Sequence, residues 1–198
     1  MSTLSNTVSA PRVPVLADLF ANTWVKNAAL IFGGALFMIL CNRISIPVPG
    51  SPVPITGGTL GVLLVGSALG SWRGVSAMLL YLAMGLFLPV YSEGREGFEV
   101  LVGASGGYLW GFVVASYVVG KLAERGNDRK FVTAFGSYAV GLLIIYACGL
   151  PVLKANTGES WSWVIHNGFT IFIIGEMIKA AIGAITLPAA WKLAEKTR

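Results

Sequence analysis

Glu176 and Lys179 stand three residues apart inside an otherwise apolar stretch, 171–187. On a helix, positions i and i+3 share a face, so the carboxylate and the ammonium point the same way. The stretch is long enough to cross a bilayer, where an ionisable side chain costs about 2.5 kcal/mol or more. Two such groups on one face make either a polar site for a ligand or a mutual ion pair that only fastens helices together. An ionised carboxylate only accepts hydrogen bonds and an ammonium only donates them.

A second candidate for chemistry is Gly103-Ala104-Ser105-Gly106-Gly107-Tyr108-Leu109-Trp110-Gly111. Ser105 is placed to cap a helix, and free N–H groups at such a terminus suit an anionic or carbonyl oxygen. Gly103, Gly107, Gly111 and Ala115 recur every four residues, a stripe that serves either as a groove or as close packing against another helix. Tyr108 is a ring for a ligand to stack on, or an interfacial tyrosine. His166 is the single histidine and has no second ligand at metal spacing, so no metal is expected. Cys41 and Cys148 lie in or beside apolar runs and form neither a metal motif nor a disulfide framework. No Gly-x-x-x-x-Gly-Lys-Ser/Thr is present, so ATP hydrolysis by a P-loop is not expected. No Ser–His–Asp or Cys–His arrangement stands out, and no cofactor is expected.

The elements that must position these residues are membrane helices. Of the 198 residues, 55% are hydrophobic and 12% charged, with mean hydropathy +0.74. Soluble domains carry about 25% charged residues, so this is an all-α integral membrane protein. Six apolar segments are drawn at about 26–44, 56–72, 74–90, 105–123, 131–153 and 164–191. A span needs about 20 residues, so the second and third are short and either less tilted or partly re-entrant. Residues 1–25 read as a polar tail or interfacial segment without a cleavable signal, and 26–198 as one six-helix domain.

Lys and Arg placement orients the bundle. One side holds Arg12, Lys26, Arg73, Lys121, Arg125, Arg129, Lys130, Lys192, Lys196 and Arg198, and the other Arg43, Arg95 and Lys154. Positive-inside bias puts both termini in the cytoplasm. The net charge of +5 therefore belongs to membrane-flanking loops, and nucleic acid is not an expected partner. On the outer side, residues 46–56 hold four prolines, which fix φ and remove donors, so this loop is extended. It serves as a lid or as a stiff connector. The outer-loop charges Glu93, Arg95, Glu96 and Glu99 read as solvated, and Trp161 and Trp163 as interfacial anchors.

Three motifs in order carry a family resemblance: Ile46-Pro47-Val48-Pro49-Gly50-Ser51-Pro52-Val53-Pro54-Ile55-Thr56, Tyr81-Leu82-Ala83-Met84-Gly85 with Leu88-Pro89-Val90-Tyr91, and Gly106-Gly107-Tyr108-Leu109-Trp110-Gly111-Phe112. With Gly175-Glu176-x-x-Lys179 they resemble BioY, the biotin-binding S component of energy-coupling factor transporters, over nearly the whole chain. The resemblance implies a six-helix S component in a bacterial or archaeal-type cell (inner) membrane that captures biotin outside and releases it inside. It implies as partners a transmembrane coupling subunit and two ATPase subunits of the same module.

The resemblance maps Glu176, Lys179, Tyr108, Gly106 and Gly107 onto contacts with the vitamin, and Ser105, Ser92 and Thr56 are expected to join that substrate-binding set. The lid is Pro47, Val48, Pro49 and Pro52, and the partner-docking face is Ala29, Gly33, Gly34 and Ala35. The chain departs from the family in four places. Glu176 stands where Asp is usual, Gly58 where Gln is common, and Ala104-Ser105 for Pro-Thr. Ala29-x-x-x-Gly33 only approximates the Ala-x-x-x-Ala docking surface.

Biotin's ureido ring has two N–H donors and a carbonyl. Glu176 suits an N–H, while Lys179 donates to the ureido oxygen or to Glu176 itself. Three other readings stand beside this one: an S component for another vitamin, a small membrane enzyme using Glu176 as base, and a non-transport scaffold in which the pair is only glue.

Overall fold

The computed structural model describes residues 13–20 and 23–196. Arg12, Arg198 and the first twelve residues of the expected tail lie outside the described residues. Among the described residues eight α-helices follow one another: α1 (Trp24–Arg43), α2 (Gly58–Leu69), α3 (Ser71–Met84), α4 (Phe98–Val102), α5 (Gly106–Ala123), α6 (Phe131–Thr157), α7 (Trp161–Gly168) and α8 (Ile173–Lys196). Trp24–Arg43, Phe131–Thr157 and the broken stretch Trp161–Lys196 are long and apolar enough to cross a membrane. α2 and α3, with 12 and 14 residues, are only about 18 and 21 Å long at the helical rise.

The short pair exists because Gly70 breaks it. Its φ of +79° turns the chain between α2 and α3 in a single residue. α5 crosses this corner so closely that a Cβ on Gly120 would stand 2.5 Å from the Ser71 nitrogen. The glycine stripe of α5 is spent on packing: Cβ atoms at Gly107 and Gly111 would meet Cys148 O at 2.5 Å and Ile145 Cα at 2.9 Å on α6. Both cysteines are free thiols.

Three local features differ from the expectation. The proline loop is a hairpin whose base pairs β1 (Ser45–Ile46) antiparallel with β2 (Ile55–Thr56), so the fold is helical with one small ribbon. The last segment is not one helix. It breaks at Phe169 (φ −137°, ψ −58°) and a 3-10 turn, Thr170–Phe172, before α8 starts. The loop after α3 is not irregular throughout: it holds a turn at Ser92–Gly94 and then α4, while Glu93, Glu96 and Glu99 are exposed as expected.

The end of the bundle opposite the hairpin is tied by buried polar groups. Arg73, expected as a loop cation, is buried and donates to Asp18 Oδ1 (2.7 Å), Asn27 Oδ1 (2.8 Å) and Leu69 O (3.2 Å). Asp18 belongs to the turn Leu16–Leu19, whose neighbours Val15 and Ala17 are core residues. The described part of the N-terminal segment is thus packed against the bundle. Glu124 accepts from the Ser71 N–H and hydroxyl (2.9 and 2.7 Å), and Trp191 Nε1 donates to Asp128 Oδ2 (2.6 Å).

Candidate functional site

The break before α8 puts Glu176 in the first turn of that helix, where the unpaired N–H groups favour a carboxylate. Lys179 follows one turn later. Its ammonium donates to Glu176 Oε1 at 2.6 Å, to Thr59 Oγ1 at 2.8 Å and to the Thr56 carbonyl at 2.8 Å. An ammonium has three donors, so all are committed. Of the two roles expected for Lys179, the one realised is holding Glu176. Glu176 is buried, and its Oε2 has no hydrogen-bond partner. The Tyr146 hydroxyl lies close enough to Glu176 to interact with it, and Oε2, left without a hydrogen bond, is an acceptor open to a donor from outside the chain.

Glu176 borders a cavity of two adjoining lobes. The first is lined by Thr59, Tyr146, Phe172 and Glu176. The second is lined by Asn42, Tyr91, Ser92, Val100, Ser105 and Leu109. Val53, Pro54, Thr56, Tyr108 and Phe112 border both. The Tyr108 ring is fixed. Its hydroxyl donates to Gly168 O at 2.9 Å, it meets Tyr146 edge-on at 5.9 Å, and it lies on Gly149, where a Cβ would come within 2.4 Å. Tyr146 in turn meets Phe169 at 4.9 Å. The first lobe is therefore an apolar, aromatic slot with one unsatisfied acceptor at its end.

The structure brings Glu176, Lys179, Thr56 and Tyr108 together, with Ser92 and Ser105 in the adjoining lobe. Ser105 stands at the N-cap position of α5 but makes no side-chain capping bond. Its hydroxyl is buried and unpartnered. Ser92 Oγ accepts from Arg95 Nη2 at 3.0 Å, and Arg95 lines the outer shelf that Val100 and Ser105 share with the second lobe. Gly106 and Gly107 do not line the cavity; Cβ atoms there would meet Leu101 O and Cys148 O.

In the hairpin, Pro47, Pro49 and Pro52 are exposed and Val48 is half-buried, while Val53 and Pro54 turn inward over both lobes. Ser51 fastens the hairpin by donating to Asn167 O at 2.9 Å. Among the described residues no group of three His, Cys, Asp or Glu side chains could hold a metal ion. Thr59, Tyr146, Phe172 and the Val53-Pro54 pair escaped the sequence reading. They are ordinary apolar or hydroxyl residues that only the fold brings to the cavity.

The model of the BioY family matches residues 8–196. The chain belongs to the BioY family. It is 34% identical over 157 residues to the biotin transporter BioY of Thermotoga maritima, covering 79% of this chain and 91% of that one. It is 35% identical over 169 residues to the biotin transporter BioY of Rhodobacter capsulatus, covering 79% and 88%. Its fold is that of the crystal structure of the S-component for biotin from an ECF-type ABC transporter. The TM-score is 0.77 over 85% of this chain and 92% of that one, at 23% identity. Within the BioY family frame, the Glu176–Lys179 pair is the polar end of a cavity roofed by the proline hairpin.

Proposed function

We propose that this chain is the biotin-capturing S component of an energy-coupling factor transporter. It takes up biotin and is not an enzyme. The observation that carries the pose is the unpaired Glu176 Oε2 at the end of an aromatic slot. The Glu176–Lys179 pair is neutral overall, so its free oxygen suits a neutral N–H donor such as a ureido ring. Oε2 accepts one ureido N–H. Thr59 Oγ1 already accepts from Lys179, so its hydrogen is free to turn to the ureido oxygen. Tyr108, Phe112 and Tyr146 hold the fused rings, and the carboxylated tail runs into the second lobe toward Ser92, Ser105 and Arg95. Val53 and Pro54 close over it.

The bundle crosses the cell membrane six times, by α1, α2, α3, α5, α6 and the α7–α8 pair, with both termini cytoplasmic. The basic run Lys121, Arg125, Arg129 and Lys130 between α5 and α6, with Lys192 and Lys196, supports that orientation. A coupling subunit docks on the apolar groove between α1, α2 and α8. Ala29 and Gly33 line this groove, and nothing lies within 4 Å of a Cβ on Gly33. Gly34 also borders the groove while lying close against Leu69, Ala77 and Val65, and Ala35 is buried inward. Two ATPase subunits power release on the cytoplasmic side.

Equilibrium binding of labelled biotin to the purified chain, with a panel of other vitamins as competitors, tests this reading. Biotin alone should compete at stoichiometric concentrations. Tighter binding of another vitamin, or none of biotin, would overturn it.

A further inference from the structure

Asn42 borders the second lobe from the last turn of α1, and none of the roles above accounts for it. It is 3% exposed. One N–H of its amide goes to Met38 O, one turn earlier, at 3.0 Å. Its carbonyl oxygen makes no hydrogen bond among the described residues. The side chain is held between helices, yet this oxygen is not sealed off and is open to what fills the lobe it borders. The amide also lies across a cradle made for it. Gly58 opens α2 directly beneath, where a Cβ would stand 2.6 Å from Asn42 Oδ1 and 3.0 Å from Nδ2. Gly58 has no left-handed φ, so its own backbone would admit a side chain. Asn42 is what excludes one. Thr59, the next residue of α2, carries the hydroxyl that Lys179 holds in the first lobe.

We infer that Asn42 is a substrate-binding residue, its amide reaching the ligand from α1 through the space that Gly58 leaves open. The inference rests on the biotin reading and completes it. Glu176 and Thr59 satisfy one ureido N–H and the carbonyl, and the second N–H is left without an acceptor. Asn42 stands across the boundary where the two lobes meet along Thr56, Tyr108 and Phe112, so a ring held between Tyr108 and Phe112 turns its second N–H to Asn42 Oδ1 while the tail continues into the second lobe. Its place on a different helix from Glu176 makes recognition depend on the spacing of both ureido nitrogens, and so discriminates against rings with one donor.

Biotin affinity of four purified variants tests it, each measured on the folded fraction established by thermal melting. Asn42→Leu keeps the volume and removes the acceptor. It should weaken binding about two- to tenfold, the range of a neutral hydrogen bond. Asn42→Ser, smaller and more soluble in the fold, should do the same. Gly58→Gln should also weaken binding, because its side chain displaces the Asn42 amide. The double variant Asn42→Ala with Gly58→Gln moves the amide from α1 to α2 and should bind more tightly than Gly58→Gln alone. If Asn42→Leu and Asn42→Ser both bind like the unmodified chain while Glu176→Gln loses affinity, the role of Asn42 is overturned and the biotin site stands. If the double variant binds no better than Gly58→Gln, the exchange of one amide for another is overturned. If the unmodified chain binds no biotin, the site reading falls and this inference with it.

Discussion

Replacing Glu176 by Gln keeps the size of the side chain and changes only what it offers. Lys179 donates to Oε1 at 2.6 Å, so in Glu176→Gln the amide oxygen stays with Lys179 and the NH2 takes the place of Oε2. A donor then faces the ureido donor. The lost interaction is a hydrogen bond to a charged acceptor, about 1.5–3 kcal/mol, and at 1.4 kcal/mol per decade the affinity falls roughly ten- to more than a hundredfold. Lys179→Met removes the group that fixes the carboxylate and leaves Glu176 buried without a counter-ion, so it should weaken binding as strongly. The double variant Glu176→Leu with Lys179→Met, apolar at both positions, separates site from glue. Replacing both partners of a buried pair by groups of similar volume is often neutral for stability, so this protein should melt near the unmodified temperature and fail to bind biotin. Isothermal titration and thermal melting, with and without biotin, read both quantities on the same samples. If the single variants melt lower while their folded fractions bind biotin with unchanged affinity, the pair is only a fastening between helices and the argument from Oε2 is refuted.

Four further outcomes follow from the geometry. Glu176→Asp draws the carboxylate back by one methylene and should weaken biotin binding; unchanged or tighter binding would show that the slot is not shaped around glutamate. Gly149→Ala drives a Cβ to 2.4 Å from Tyr108 Cδ1, and the overpacking should lower stability by about 1–3 kcal/mol and loosen biotin together, measured by melting and titration. Ser51→Ala releases the hairpin from Asn167 O and should speed biotin dissociation about two- to tenfold in a chase experiment, with little change in Tm. Asp128 lies in the link between α5 and α6, and burial holds its carboxyl above the ordinary 3.8 against the lowering effects of the Trp191 N–H, its own backbone N–H and Arg129. The folded state therefore binds the proton more readily than the unfolded one, and stability falls as pH rises from 3.8 through the raised folded-state value. Asp128→Asn should flatten that decline in a melting series across pH.

The placement of Arg73, Asp18 and Glu124 explains why the helix ends opposite the site are well tied while the cavity end is not. There, Arg73 satisfies three acceptors and Glu124 binds the first residue of α3, so the short helices are pinned at one end. At the cavity end the polar groups of Glu176 and Ser105 are left open. Asp128 Oδ1 and Arg129 Nε are unpartnered at the tied end too, but only the open groups of Glu176 and Ser105 belong to residues that line the cavity, where a ligand can supply the missing partners.

Local patterns were legible without the fold. Apolar runs set helices and a membrane solvent, because a backbone in lipid must satisfy its own hydrogen bonds. The i, i+3 spacing put Glu176 and Lys179 on one face, and four prolines barred a helix from 46–56. The glycine stripe of α5 announced a close helix contact. What the sequence could not disclose is whatever depends on residues far apart in the chain. Lys179 meets Thr56 across 123 positions and Thr59 across 120, and only those contacts use up its donors and leave Glu176 Oε2 as the free atom. The same holds for Asn42 lying over Gly58, for Val53 and Pro54 rather than the other lid prolines facing inward, and for Arg73 being a buried tie rather than a loop cation. Periodicity is a property of one element and its solvent, whereas a pocket is a property of several elements at once, and its lining is chosen by how their backbones cross.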